Sequence, residues 1–300
     1  MLGKIKFQFI AISIYAIAIG FVHNYLEINS INVPIAVPTI VGTIISLLLA
    51  FRSNQAYDRW WEARIIWGAI VNDSRTLVRQ IMTFHRGEEF SKEDWDFKQN
   101  FAKRQMAWCY SIGNYLRNQD AVAPTRRFLK EDELRYLADQ GHAPNGLLLL
   151  HGMDIRHAEI DGKINAYQQV ELDRTLSRLC DSMGKCERIK NTIFPTTYSI
   201  YINFLLYLFV LLLPFGLTEY FGYIQVPLVI TISSAFFLIE KMAVQLQDPF
   251  ENKPTDTPVT SIARNIEINL RHMLNEKWSE FQLKNIEIEL PKMQGSFYVL

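Results

Sequence analysis

Four apolar runs constrain the fold of this chain more than any other feature. Each is long and apolar enough to cross a lipid bilayer, which takes about 20 residues of helix. Because hydrocarbon offers the backbone no hydrogen-bond partner, a spanning segment must satisfy its own N–H and C=O groups. The sequence therefore predicts an all-α membrane protein with four transmembrane helices. The runs lie at about 7–22, 33–51, 194–213 and 224–239.

Lysine and arginine accompany only one end of each run. The connections 23–32 and 215–222 contain neither residue, and basic residues concentrate on the cytoplasmic side of membrane proteins. This bias predicts that both termini and the long middle segment lie in the cytoplasm. Short termini without a targeting peptide favour a bacterial inner membrane. The basic flanks are Lys4, Lys6, Arg52, Arg59, Arg64, Arg188, Lys190 and Lys241.

The apolar runs divide the chain into four segments. Two spans lie in 1–51, a cytoplasmic helical region in 52–193, two further spans in 194–243, and a cytoplasmic C-terminal helix and tail in 244–300.

The cytoplasmic segments have a helical pattern without strand alternation. Apolar residues recur every three or four positions between Trp60 and Ile81, as on one face of a helix. The second span is expected to continue to Gly68, the first residue that would interrupt it. Prolines exclude a helix between Asp248 and Pro258. Further helices are predicted at about 97–117, 131–138, 165–191 and 261–278. The tail residues Ile286, Ile288, Leu290 and Phe297 are predicted to pack on a neighbouring subunit.

Composition and motifs exclude several common functions. The chain has 31 basic and 31 acidic residues, so it lacks the excess of positive charge that nucleic-acid binding requires. Its three cysteines (Cys109, Cys180 and Cys186) form no C-x-x-C pair, and no two of its six histidines lie four apart on a helix. The sequence therefore predicts no disulfide framework, no metal site and no cofactor.

The densest cluster of charged and aromatic residues is FRSNQAYDRWWEARIIWG, which begins at Phe51. Asp58 and Glu62 lie four apart on a helix, so they could form a catalytic carboxylate pair. The favoured interpretation is a joint at the membrane surface, in which Arg59 and Arg64 neutralise the two acids and tryptophans fix helix angles. Because no catalytic signature appears elsewhere, the sequence predicts no enzyme.

Thr43, Leu47 and Phe51 fall four apart on one face of the second span. No ionisable residue occurs between residues 33 and 51, whereas proton-coupled transporters place such residues inside their spans. The stripe could face lipid or the core of the subunit. It could also line a pore, because a hydrophobic constriction gates by dewetting.

Two motifs resemble those of the bestrophin family. FRSNQAYDRWWEARIIWG is similar to the signature that follows the second span, and Asp248-Pro249-Phe250 is similar to a second landmark after the fourth. The order of two spans, a long insertion, two spans and a tail also matches. The first of these motifs contributes Arg52, Asp58, Arg59, Trp60, Trp61, Glu62 and Arg64.

The resemblance implies a pentameric barrel of helices around a single axial pore. Five copies of the second span would form a narrow neck at Thr43, Leu47 and Phe51, and Val170 would form a cytoplasmic aperture. Thr43 departs from the bulky apolar residue of other members and implies a wider or wetter upper neck. Arg52 and Arg59 would shape the potential below it.

The resemblance favours a passive channel for monovalent cations, because compact bacterial members include cation-selective ones. Chloride is the alternative ion, since animal members are anion-selective. The animal calcium clasp corresponds here to a stretch whose only acids are Glu251 and Asp256, too few for a tight site. Two other hypotheses remain, a non-conducting membrane scaffold and an enzyme built on Asp58 and Glu62.

Overall fold

The computed structural model describes residues 6–25, 33–87, 91–192 and 195–275, and every regular element within them is helical. The predicted all-α fold is confirmed for this part of the chain. Two short 3-10 segments, Ala123–Thr125 and Gly222–Ile224, separate some of the helices. The helices are α1 (Lys6–Tyr25), α2 (Ala36–Phe84), α3 (Lys92–Leu116), α4 (Glu131–Ala138), α5 (Ala143–Ile160), α6 (Ala166–Asn191), α7 (Thr196–Phe221), α8 (Gln225–Leu246) and α9 (Val259–Met273).

Three stretches of the described helices are long and apolar enough to cross a membrane. They are Ala36–Phe84, Thr196–Thr218 and Gly222–Leu246. In α1 the apolar stretch is the shorter Lys6–Val22, which matches the first predicted run. The chain is thus a membrane protein with at least three helices of spanning length.

Helix α2 is longer than predicted. It continues through Gly68 to Phe84 and reaches 49 residues, so the expectation that Gly68 interrupts it is wrong. A glycine inside a helix costs about 1 kcal/mol relative to alanine. Trp67 and Ile70, on either side of Gly68, are fully buried, and their packing outweighs that cost.

Helix α7 also passes through its predicted end. Pro214 lies inside the helix, just beyond the predicted end of the third apolar run at residue 213. Membrane helices tolerate proline because neighbouring groups satisfy the backbone that it disturbs. The Tyr15 hydroxyl of α1 donates a 2.7 Å hydrogen bond to the Leu211 carbonyl, in the turn before the proline, and α7 ends only at Phe221.

The polar helices follow the predictions with one omission. Helix α4 has the predicted bounds, and the segment before Val259 is not helical. Helix α5 was not predicted, because Gly141 and Pro144 indicated a loop at about 139–145. Proline in the first turn favours a helix start, and His142 caps this one by accepting a hydrogen bond from the Asn145 N–H. The predicted packing of the tail lies outside the described residues.

The chain forms two compact units. The apolar unit comprises Met1–Trp60 and Thr192–Asp248, and the polar unit comprises Trp61–Asn191 and Pro249–Leu300. In the apolar unit α1 packs against α7 and α8, around a buried core contributed by all four of its helices. This core includes Ile12, Ala16, Ile45, Leu49, Leu206, Leu213, Val229 and Phe237.

The polar unit is built around α3, which contacts α5, α6 and α9. The apolar stripe predicted on α2 is buried in its core. A buried carboxylate, Glu267 of α9, accepts hydrogen bonds from Tyr110 and Arg127 and pairs with Arg271. These bonds connect α9 to α3 within the polar unit. The buried stripe consists of Trp67, Ile70, Leu77, Val78 and Ile81.

Candidate functional site

Helix α2 has one face buried in the apolar unit and an opposite apolar face open. Ile45 and Leu49 are almost completely buried, whereas Leu47 and Phe51 are each 58% exposed. Thr43 is exposed on the same face. We call Thr43, Leu47 and Phe51 the neck stripe. Because the neck stripe is not covered by its own chain, it can face lipid, another subunit or an aqueous pathway.

Thr43 gives the neck stripe its single hydroxyl group. The hydroxyl donates a 2.9 Å hydrogen bond to the Thr39 carbonyl of the same helix. Its hydrogen is therefore used within α2, and only its oxygen lone pairs remain to meet water or an ion.

A close approach of α7 positions the neck stripe. A methyl group at Gly42 would lie 2.9 Å from the ring of Phe209, and one at Gly216 would lie 2.7 Å from Pro38. Phe209 in turn meets Phe236 of α8 edge to face, with ring centroids 5.0 Å apart. The missing side chains at these glycines thus make room for the Phe209 ring of α7 against α2 and for Pro38 of α2 against α7.

A buried ion pair lies immediately after the neck stripe. Arg52 Nη1 is 3.4 Å from Glu240 Oε1, and the two side chains are only 5% and 7% exposed. Arg52 Nη2 also donates a 3.2 Å hydrogen bond to Ser199 Oγ. One guanidinium of α2 is therefore held by both α7 and α8.

Sequence reasoning missed Glu240. The fourth apolar run was predicted at about 224–239, but α8 continues to Leu246. An acid inside a spanning helix indicates a buried partner or a functional role. Applied to Glu240, that principle would have predicted a partner such as Arg52.

Arg59 of the aromatic motif binds backbone carbonyls. Its Nε donates to the carbonyl of Gln247 and its Nη1 to that of Thr192, both at 2.8 Å. Gln247 follows directly after α8, where helix carbonyls lack partners within the helix. Arg59 therefore holds two chain segments at the end of the apolar unit.

The two acids of the motif do not share the partners expected from the sequence. Glu62 accepts a 2.5 Å hydrogen bond from Arg188 of α6, rather than pairing with Arg64. Asp58 is exposed, and the described residues offer its carboxylate no hydrogen bond or ion pair. This arrangement gives no support to a catalytic carboxylate pair.

The remaining motif residues have different surroundings. The Trp60 ring lies 6.0 Å from that of Tyr57, while Trp61 is half exposed. After α8, Phe250 is buried in the core of the polar unit. The Pro249 carbonyl accepts a 3.1 Å hydrogen bond from the Thr257 N–H, which closes the loop before α9. Asp248 directly precedes this loop.

Val170 lies in the second turn of α6 and is 49% exposed. Tyr167, one turn earlier, is 86% exposed. This end of α6 therefore presents a tyrosine ring and a valine to its surroundings.

The loop before α9 places a protein cation beside each of its acids. Glu251 pairs with Lys253. Asp256 is 5% exposed and accepts a 3.0 Å hydrogen bond from the Lys253 N–H. Burial lowers the pKa of Arg117, and the nearby Asp256 carboxylate opposes that shift. Among the described residues no group of three or more His, Cys, Asp or Glu side chains could hold a metal ion.

The chain matches the family model described as "Bacterial/Fungal Bestrophin protein" over residues 1–272. Curated relatives include voltage-dependent anion channel-forming proteins of Ralstonia nicotianae and Escherichia coli. The first is 30% identical over 90% of this chain and 86% of its own length. The second, from strain K12, is 28% identical over 92% of this chain and 88% of its own length.

Crystal structures of a bacterial bestrophin homologue from Klebsiella pneumoniae share the fold. One of them, phased with zinc, has a TM-score of 0.84 and 28% identity, and the match covers 91% of this chain and all of that one. Together with the helical apolar unit, these similarities point to a channel-type membrane protein. The chain belongs to the bestrophin family.

Replacing Arg59 with lysine should destabilise the apolar unit. Lysine keeps the charge but cannot place two donors on the carbonyls of Gln247 and Thr192 at once. We expect a loss of about 1–2 kcal/mol, seen as a lower unfolding temperature by circular dichroism in detergent. Arg64→Lys is the matched control, because Arg64 is exposed. Equal unfolding temperatures for the two variants would contradict this role of Arg59.

Proposed function

We propose that this chain is one subunit of a homopentameric channel that conducts small monovalent ions passively across a bacterial inner membrane. Each subunit would contribute four transmembrane helices, with α1 as the first, and both termini would lie in the cytoplasm. The segments 52–193 and 244–300 would form the cytoplasmic part. The proposal rests chiefly on the open apolar neck stripe of α2 in a chain of the bestrophin family.

Five copies of the neck stripe around one axis would form an uncharged constriction. Apolar rings at Leu47 and Phe51 would control water and ion entry by width and dewetting. Thr43 would form a polar ring at the outer end, where its lone pairs can contact a hydrated ion. Val170 would form a second constriction on the cytoplasmic side.

Charges near the neck support monovalent cations as the conducted ions. Arg52 is paired with Glu240, and Arg59 is bound to backbone carbonyls. By contrast, the exposed Asp58 lies seven residues after Phe51, on the same face of α2. A ring of carboxylates is the device by which cation channels attract their ions.

An anion channel of the same architecture is the second candidate. Its support is the name of the curated relatives, which are called voltage-dependent anion channel-forming proteins. A non-conducting membrane scaffold is the third possibility, for which no axial pathway is needed.

The loop before α9 supports a channel that calcium does not activate. Its acids, Glu251 and Asp256, already face Lys253 and Arg117, and calcium prefers six to eight oxygen ligands. We expect the open probability in planar bilayers to stay constant when cytoplasmic calcium rises from nanomolar to about 10 µM. A steep increase over that range would contradict the proposal.

The neck can be tested by reversal potential and conductance of the purified protein in planar bilayers under a sodium chloride gradient. Phe51→Ala and Leu47→Ala should each raise the conductance several-fold, because they widen the apolar rings and ease their wetting. Ile14→Ala is the control, since Ile14 is 64% exposed on α1.

The same recordings determine whether the channel conducts cations or anions. A reversal potential near the sodium limit would support the cation channel, and one near the chloride limit would establish the anion channel. Absence of current from an intact wild-type oligomer would overturn the channel and favour the scaffold. Unchanged conductance in both neck variants would place the constriction elsewhere.

A further inference from the structure

The buried ion pair lies beside the inner end of the proposed neck. Arg52 follows Phe51 in α2, yet Phe51 is 58% exposed while Arg52 is 4% exposed. Because successive side chains of an α-helix project about 100° apart, Phe51 is exposed while Arg52 turns into the apolar unit. Arg52 reaches Glu240 and Ser199 inside the apolar unit.

Helix packing alone does not account for two charges at this position. Removing an ion pair from water costs several kcal/mol per ion, and apolar residues of similar volume hold helices together at least as well. Charged residues within membrane spans mark ion pathways or their regulation. The pair therefore points to an electrostatic role.

We propose that the Arg52–Glu240 pair sets the cation-to-anion permeability ratio of the neck by keeping its surroundings electrically balanced. The inference rests on the proposed channel function. The neck stripe carries no charge of its own, so the nearest charges behind it determine the local potential. Low-dielectric surroundings screen a buried charge weakly, and the pair would recur once in every subunit of the ring.

If the two charges balance each other, removing one or the other should shift the ion selectivity of the neck in opposite directions. Without the Arg52 charge, Glu240 would stand uncompensated and the neck would attract cations. Without the Glu240 charge, the guanidinium would remain and the neck would attract anions. Lys241 is the other cation near Glu240, with Nζ 4.0 Å from Oε2 and 37% of its side chain exposed. Solvent should screen its charge.

The test measures reversal potentials of Arg52→Gln, Glu240→Gln, the double variant and the control Lys241→Gln in planar bilayers under a sodium chloride gradient. Arg52→Gln should raise the sodium-to-chloride permeability ratio roughly tenfold and Glu240→Gln should lower it by a similar factor. The double variant and Lys241→Gln should stay close to the wild type.

Shifts in the same direction, or a change in conductance without a change in the permeability ratio, would overturn the inference and leave the pair a purely structural role. A wild-type oligomer without current would instead overturn the channel itself. If a single variant fails to assemble, co-expression with excess wild-type chain gives oligomers with one altered subunit. These should show a smaller shift of the same sign, and its absence would also overturn the inference.

Discussion

Charged groups of one helix fix the geometry of the apolar unit. Arg52 connects α2 to Ser199 of α7 and Glu240 of α8, and Arg59 binds the carbonyls of Gln247 and Thr192. Both arginines point to the same side of α2. Because that side is held inside the unit, the opposite side is left open, and it carries the neck stripe. The orientation of the stripe thus depends on these polar contacts as well as on apolar packing.

The same contacts limit the electrostatics of the proposed neck. A guanidinium beside a pore would favour anions, but Arg52 faces a carboxylate and Arg59 faces carbonyl oxygens. Arg52 and Arg59, which were predicted to shape the potential below the neck, are therefore already bound to groups of their own chain. The exposed Asp58 is left as the nearest charge on the open face of α2. This arrangement is the basis on which we propose cations as the conducted ions, although the names of the curated relatives favour anions.

The sequence predicted those features of the fold that depend on local periodicity. Runs without charge located α2, α7 and α8, and the stripe from Trp67 to Ile81 is buried as its spacing required. The errors arose where a single residue was taken as a boundary. Gly68 and Pro214 lie inside helices because packing and neighbouring hydrogen-bond donors compensate for them.

The features that the sequence did not predict depend on tertiary contacts. Glu240 lies just beyond the predicted fourth run, and the sequence pattern did not indicate its pairing with Arg52, 188 residues earlier. Likewise, spacing alone suggested Arg64 as a partner for Glu62, whereas the fold places Arg188 within hydrogen-bond distance of that carboxylate. The neck stripe could be predicted as an apolar face but not as an open one, because exposure depends on where α7 and α8 pack.

The central claim is that the open face of α2 lines the ion pathway. Current block by a positively charged thiol reagent tests it directly, with single cysteines introduced into a chain that lacks Cys109, Cys180 and Cys186. Modification of Leu47→Cys should block the current, because residue 47 would face the pathway. Leu49→Cys, on the buried face of the same helix, should stay insensitive. Block at residue 49 and none at residue 47, in oligomers of wild-type size, would contradict the account.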